Sequence, residues 1–340
     1  MYEVSHMTIY DISQKAGVSI ATVSRVLNGS DKVSPKTRQK VLDVMEQCSY
    51  TPNAFARGLG LSTSNTIGVM CADSSDMYLA KAIYYLEQFL REKGYDSILS
   101  CCGYTLSGKT NAINLLLSKK VDSIILVGSN FIEAREEDNT YIRDAARQCP
   151  IMVLNADYAN DNIYSCLCDD YHATYSAVES LIKGGRSHIV YIYNSTSYSG
   201  SKKLAGYVDA MNTHGLEAVT LFVNKQFETS VELLDATEGL QSLYASNKNI
   251  DAVLASEDLL ALGALKFIHR AGLRCPEDIA VIGYNNSILA VGSEPELTSI
   301  DNRLELLCKQ LVANIVNVLN GSEVPSKTIF SGLMVKRRTT

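Results

Sequence analysis

Residues 8–60 read TIYDISQKAGVSIATVSRVLNGSDKVSPKTRQKVLDVMEQCSYTPNAFARGLG, three short helices followed by a basic, proline-led tail. Thr8 sets a hydroxyl where a helix has free amides, Asp11 follows three residues on, and Ile9, Ile12 and Ala16 recur at helical spacing. Gly17 ends this helix, because glycine tolerates the positive φ of a tight helix-to-helix turn. Ser19 is placed to cap a second helix running to Asn28-Gly29. Ser34 caps a third, with Pro35 at its first position, Val41, Val44 and Met45 inward, and Lys36, Arg38 and Lys40 outward.

Two helices joined by a three- or four-residue turn make a helix-turn-helix. In the second of them Val23, Val26 and Leu27 face the core, which leaves Ile20, Ala21, Thr22, Ser24, Arg25 and Asn28 on the outer side, where they would enter a major groove. Arg25 can pair with guanine O6 and N7, whereas Ile20 and Ala21 can read only by shape or by thymine methyl contact. The alternative is a small helical interaction domain with Arg25 as a solvated charge.

At these residues the chain resembles the lactose-repressor/galactose-repressor (LacI/GalR) family of bacterial transcription regulators, through TIYDISQKAGVSIATVSRVLNG and then YTPNAFARGL. The resemblance assigns base reading to Ile20, Ala21 and Arg25, and backbone contact to Tyr10, Thr22, Ser24, Ser34, Thr37, Tyr50 and Asn53. Ser19, Asn28 and Arg57 complete the candidate DNA-contact set. Leu59 matches the family's hinge leucine, a wedge inserted by paired hinge helices into the minor groove of a palindromic site. Its plainer reading is a linker residue covering the next domain. The hinge PNAFARGLG is about two turns long and holds Gly58 and Gly60. Each helical glycine costs about 1 kcal/mol relative to alanine, and isolated helices under roughly 12 residues are marginal. The expectation is a segment that orders only on DNA, offsetting that cost with phosphate contacts and the wedge.

Charge is divided along the chain. Residues 1–60 hold seven lysines and arginines against five carboxylates, leaving 24 against 32 in the other 280 residues. A mildly basic head on an acidic body confines attraction for phosphate to one end, and so small a surplus implies two heads on one DNA. At 340 residues and 46% hydrophobic composition the chain can form two or three domains with large cores. Nine cysteines lie in apolar runs without disulfide or zinc spacing, which suggests buried reduced thiols. The start MYEVSHMTIY has no basic-then-apolar pattern and no run approaches about 18 apolar residues, so a cytoplasmic protein without membrane contact is expected.

From Asn65 on, short apolar runs alternate with longer amphipathic ones: TIGVMCA, YDSILSCC, VDSIILVG and PIMVLN in one block, then SHIVYIYN, AVTLFVN, DAVLAS and IAVIGY in another. The intervening helices are expected over 77–93, 112–119, 141–147, 204–214, 231–246 and 258–270. Continuous aliphatic strands between helices imply an α/β body of two doubly wound parallel sheets, with a ligand crevice beyond the carboxyl ends of the strands. The body resembles the sugar-binding module of the same family, which is similar in fold to periplasmic binding proteins. The expected division is a helix-turn-helix domain over 1–51, a hinge over 52–64 and a two-lobed effector-binding and dimerisation domain over 65–340.

By that resemblance Asp73, Asp76, Tyr78, Asn155, Lys203, Phe227, Glu257 and Asn285 contact a sugar or related metabolite. Asn155 and Asn285 stand where many members have aspartate, Lys203 where they have arginine, and Glu257 where they have asparagine. A hydroxyl-binding pair of carboxylates is thus absent and a guanidinium fork is replaced by a point charge, while asparagine can still donate to and accept from polyols.

The stretch from Gly103 to Thr110, GYTLSGKT, satisfies the phosphate-loop pattern G-x-x-x-x-G-K-[ST] between a strand and a helix. It would use Lys109 on phosphates and Thr110 on magnesium, making a nucleotide-binding enzyme or ATP-responsive regulator the alternative function. Neither VDSIILVG nor PIMVLN ends in the aspartate such a site needs. The five histidines are isolated, and Asp169-Asp170 look like helix-start caps before Tyr171. The expected protein is a homodimeric repressor on a pseudo-palindromic double-stranded DNA operator, controlled by a small molecule, with no cofactor or metal and no catalytic residues. A body serving as a docking platform for a partner protein is a third reading. No heptad-bearing tail follows Lys336-Arg337-Arg338, an argument against tetramers.

Overall fold

The computed structural model describes residues 7–27, 30–50, 63–158, 160–224, 229–247 and 249–340. The chain divides into two compact units, Met1–Thr66 and Ile67–Thr340. Asn28, Asn53, Arg57, Leu59 and Phe227, and with them the expectations for the hinge, lie outside the described residues.

The first unit contains α1 (Ile9–Ala16), α2 (Ile20–Leu27) and α3 (Pro35–Gln47). At the start of α1 the backbone amide and the hydroxyl of Thr8 both donate to the Asp11 carboxylate at 2.7 Å. The Thr8 hydroxyl holds that carboxyl below its ordinary pKa. Gly17 takes φ +58°, its amide donating to Gln14 O and that of Val18 to Ser13 O, the paired bonds that close a helix on a left-handed residue. The Ser19 and Ser34 hydroxyls accept from the amides of Thr22 and Thr37, so both expected caps form. Ile12, Ala16, Val23, Val26, Val33, Val41 and Met45 fill the core. Arg38 is half-buried, and its guanidinium donates to the Ser30 carbonyl at 2.6 Å.

The second unit holds two six-stranded sheets. Its elements in order are β1 (Thr66–Cys71), α4 (Met77–Glu92), β2 (Asp96–Cys101), α5 (Leu106–Ser118), β3 (Ser123–Val127), α6 (Thr140–Ala146), β4 (Ile151–Leu154) and β5 (Ile163–Cys168). There follow α7 (Asp170–Lys183), β6 (Ile189–Tyr193), α8 (Tyr198–Thr213), β7 (Val219–Phe222), α9 (Thr229–Ser246), β8 (Ala252–Ala255), α10 (Asp258–Arg270), β9 (Ala280–Tyr284) and α11 (Ile288–Gly292). The last are β10 (Thr298–Asp301), α12 (Leu304–Leu319), β11 (Lys327–Phe330) and β12 (Leu333–Val335).

The first sheet runs β11-β5-β4-β3-β1-β2 and the second β12-β10-β9-β8-β6-β7, with β12 antiparallel to β10. Alternation sorts the side chains: Ile67, Val69, Cys71, Ile125 and Val127 pack under α4 and α12, while Met70, Ile124 and Leu126 pack under α5 and α6. In the second sheet one face meets α7 and α8, the other α9 and α10.

The two blocks read from the sequence correspond to β1–β4 and β6–β9, each one lobe. The lobes are not closed by their own halves of the chain, however. The polypeptide crosses between them at 168–170, at 301–304 and at 330–333, so that α12 and β11, which follow the second lobe, complete the first. Four strands escaped the sequence reading. The β5 strand is broken up by Tyr164, Ser165 and Cys166, whereas β10, β11 and β12 are three or four residues long. The expected starts of α5 and α8 fall six residues late because their first turns are rich in glycine, serine and lysine.

Replacing Gly17 with alanine forces a side chain into the left-handed region at a cost of about 1–2 kcal/mol. In the full-length Gly17→Ala protein, amide hydrogen exchange should quicken across α1 and α2 while the β1–β4 amides keep their protection.

Candidate nucleic-acid interface and effector cleft

Within the head, α2 presents an amphipathic division. Val23 and Val26 are buried, Ile20, Ala21 and Arg25 are exposed, and Thr22 and Ser24 are half-buried beside them. Tyr10 is 67% exposed, too open for a core aromatic. Ser34 is exposed at the start of α3, Thr37 half-buried beside it, and Tyr50 packs its ring partly against the head core. Ser19 spends its hydroxyl on the cap and on Thr22 Oγ1 at 2.9 Å. Lys36 and Lys40 stand free of the core on α3. These groups present hydroxyls, one guanidinium and two ammonium groups, the donors a phosphate backbone and a base edge accept from.

In the body, the loops leaving the carboxyl ends of the strands converge on one cleft, as open parallel sheets require at the point where strand order reverses. A cavity of about 840 Å³ takes in Asp73, Asp76, Tyr78, Glu257 and Asn285, with the starts of α11 and α12 at its rim. A smaller one of about 120 Å³ is shared by both lobes and takes in Asp76, Tyr78, Asn155, Lys203, Glu257 and Asn285. The seven described residues of the expected effector set thus line these two spaces, which share Asp76, Tyr78, Glu257 and Asn285.

Their local chemistry explains several departures from the family pattern. Asn155 and Asn285 occupy equivalent places after β4 and β9, and both are left-handed, at φ +64° and +90°. Asparagine tolerates that backbone better than most residues. Each amide donates to the neighbouring strand, Asn155 to Cys166 O and Asn285 to Ile300 O at 2.8 Å. The Asn285 Oδ1 accepts from Asn302 Nδ2 at 3.1 Å, tying the strand end to the second crossover. Asp76 caps α4 through the amides of Tyr78 and Leu79, and Asp73 accepts from the amide and hydroxyl of Ser75.

Lys203 is 8% exposed; its ammonium donates to Ser256 O at 3.1 Å and stands 3.7 Å from the centre of the Tyr284 ring. Beside it lies Asp170, whose place at a helix start predicts a cap. Asp169 alone serves as that cap, accepting from His172 N at 3.2 Å. Asp170 is instead buried, accepting from Ser199 Oγ at 2.5 Å and Tyr284 Oη at 2.6 Å. Burial raises its carboxyl pKa, against the pull of Lys203 and the two hydroxyls. Nearby, Asn194 Nδ2 donates to both Glu232 Oε1 and Glu257 Oε1.

Six buried side-chain polar atoms among the described residues make no hydrogen bond, and four of them, on Tyr78, Asn130, Ser256 and Asn302, belong to cleft residues. Such an atom costs about 1–3 kcal/mol where neither protein nor water partners it. Asn130, Asn194 and Ser256 were missed from the sequence although each follows the end of a strand. Applying the strand-end rule to β3, β6 and β8 would have found them.

The phosphate-loop pattern dissolves in the fold. Gly108, Lys109 and Thr110 lie inside the first turns of α5 instead of ahead of it, with Thr105 capping through Gly108 N at 3.1 Å. Gly108 is there because a Cβ would come within 2.2 Å of Cys102 O. Lys109 is 3% exposed and donates to Glu133 Oε1 at 2.6 Å and Asn130 O at 2.5 Å, so it braces the loop after β3. The Thr110 hydroxyl donates to Leu106 O. All nine cysteines are free thiols; Cys71, Cys149, Cys166, Cys168 and Cys308 are buried, but Cys101 is exposed, contrary to the expectation of uniform burial. Burial pushes the Cys166 thiol up to about 12.

Residues 8–53 match the lacI family of bacterial regulatory proteins, and residues 178–340 match the periplasmic binding protein-like domain. An HTH-type transcriptional regulator of Lachnoclostridium phytofermentans is 53% identical over 98% of this chain and 99% of its own length. The chain belongs to the lacI family. It is a helix-turn-helix transcriptional regulator, and its relatives are regulators rather than enzymes. The fold matches the lac repressor dimer bound to operator and the anti-inducer ONPF, with a TM-score of 0.85 and 24% identity over 98% of both chains. It also matches a CelR–cellobiose complex, with a TM-score of 0.70 and 24% identity over 98% of this chain and 100% of that one. Among the described residues no helix is long and apolar enough to cross a membrane.

Asp170→Ala leaves the buried Ser199 and Tyr284 hydroxyls without their acceptor and should destabilise the body by about 1–3 kcal/mol for each, measured by urea denaturation. For Lys109→Ala a smaller loss of roughly 1–3 kcal/mol is expected because Glu133 is partly solvated. ATP should leave the melting temperature of the wild type unmoved, and an ATP-dependent rise that vanishes in Lys109→Ala would reinstate the phosphate loop.

Proposed function

We propose that this chain is a cytoplasmic repressor that binds a pseudo-palindromic operator as a homodimer and answers to a sugar-like effector in the cleft. The observation that carries the reading is the α2 surface, with Ile20, Ala21 and Arg25 outward over a core of Val23 and Val26. Arg25 supplies a bidentate contact to guanine, and Ile20 and Ala21 read methyl groups and shape. Tyr10, Ser19, Thr22, Ser24, Ser34, Thr37 and Tyr50, with Asn28, Asn53, Arg57 and Leu59, position the head on phosphates and in the minor groove. The domains of the proposal are 1–51, the hinge 52–64 and the body 65–340.

For the effector, the relatives with bound ligands give direction: the CelR structure holds cellobiose and the lac repressor structure holds ONPF with its operator. In this chain the cleft supplies Asp73, Asp76, Tyr78, Asn155, Glu257 and Asn285, with Phe227 by analogy. Carboxylates, amides and aromatic faces suit a sugar's alternating polar and apolar surfaces. Lys203 is assigned a supporting place, since its ammonium is already engaged by Ser256 O and Tyr284. A ligand bound between the lobes changes DNA occupancy by as much as its affinities for the two lobe arrangements differ.

Selection of binding sites from random oligonucleotides tests the head. Arg25→Ala should relax preference at one base pair per half-site by about 1–3 kcal/mol, whereas Lys36→Ala should weaken all sequences alike and lower the salt slope by about 1. An unchanged selected site with Arg25→Ala, or a wild type that binds inverted repeats no better than random duplexes, sinks the assignment.

A further inference from the structure

Two thiols meet where β1 and the outer strand β2 end. Cys102 N donates to Cys71 O at 2.9 Å and Gly103 N to Ala72 O at 3.0 Å, a ladder that sets Cys71 beside Cys101 on neighbouring strands. Side chains alternate across a strand, so Cys101 shares the Cys71 face, while Cys102 turns to the other and packs on the core under α5 and α6. The sulfurs of Cys71 and Cys101 stand 3.6 Å apart. Neighbouring strands run about 4.8 Å apart, inside the roughly 4.4–6.8 Å between α-carbons that a disulfide spans. Cys71 is buried and Cys101 is exposed, so an oxidant in solution reaches the second of them first.

We propose that Cys71 and Cys101 form a peroxide-responsive dithiol, a modification site in which Cys101 meets the oxidant and Cys71 closes a disulfide onto it. The Cys101 sulfur takes one oxygen from the peroxide as the O–O bond breaks, giving a sulfenic acid and a water. The Cys71 sulfur then bonds to that of Cys101, the S–O bond breaks, and the oxygen leaves with the Cys71 proton as a second water. The two thiols lose two electrons and the peroxide gains them. Burial pushes the Cys71 thiol up to about 12, which keeps it protonated and inert toward the oxidant itself. In a reducing compartment thiols rest reduced, and a disulfide that forms there is transient and redox-sensing. This one would staple the outer strand to β1 at the point where the chain runs through Ala72 to Asp73 and the cleft.

Trypsin separates the two cysteines, since Lys81, Arg91 and Lys93 lie between them, while Cys101 and Cys102 share the peptide 94–109. The reduced full-length protein is treated with hydrogen peroxide, alkylated, digested and weighed, as wild type and as Cys101→Ser, Cys71→Ala and Cys102→Ser. Wild type should lose two of its nine free thiols, with the Cys71 peptide joined to 94–109, and dithiothreitol should restore both. Cys102→Ser should still join the peptides, and Cys101→Ser and Cys71→Ala should not. Without its partner, Cys101 in Cys71→Ala should go on to the sulfinic acid. Amide exchange over β2 should slow about tenfold in the oxidised wild type as the edge strand is held. A joined peptide in Cys101→Ser, sulfinic acid at Cys101 of the wild type without a joined peptide, or chains linked in pairs through Cys101 overturns the assignment. So does unchanged or faster exchange over β2.

Discussion

The burial of one carboxylate organises the ligand-binding half of this molecule. Asp170 opens the second lobe directly after the first crossover, where an ionised group is costly unless neutral hydroxyls and a cation converge on it. Ser199 and Tyr284 supply the hydroxyls, and Lys203 the cation. Those partners come from α8 and β9, and Lys203 in turn grips the end of β8 through Ser256 O. One buried carboxyl and the lysine beside it thereby tie together four elements whose ends border the cleft. Lys203 is turned inward onto Ser256 O and the Tyr284 ring, which leaves the cleft surface to carboxylates, amides and hydroxyls.

The head was almost wholly legible in the sequence because its information is local. Caps, a left-handed glycine and an apolar stripe each act within one turn of helix, and the structure places Thr8, Gly17, Ser19 and Ser34 in the turns where the sequence sets them. The two sheets were legible for the related reason that β1, β3, β4, β8 and β9 are buried on both faces and so read as unbroken aliphatic runs. Strands at or near the edges carry no such signal. The tethering of Lys109 to Asn130 and Glu133 spans more than twenty residues, and no periodicity in GYTLSGKT hints at it. Short motifs encode the backbone shape they need, and here the glycine pattern served a helix start packed against Cys102.

The cleft was legible in outline, as positions just past strand ends, but its chemistry was not. Asn155 and Asn285 read as lost carboxylates, whereas their left-handed backbones and ties to adjacent strands give asparagine a structural reason at both places. Their equivalence reflects the likeness of the two lobes, each ending its fourth sheet-forming run at the cleft with the same turn. Asp170 was misread because a carboxylate at a helix start is usually a cap, and only its distant partners Ser199 and Tyr284 distinguish it.

The threefold passage of the chain between lobes has a consequence for how the protein is made. The first lobe's sheet lacks its edge strand, and its core lacks the side chains of α12, until residues 304–330 have been synthesised. On the ribosome, the apolar surface awaiting Leu307, Leu311 and Ile315 is exposed throughout translation of the second lobe. Until α12 and β11 have emerged that surface has no native partner, so the first lobe reaches its native packing only after the second lobe's sheet-forming runs have been made.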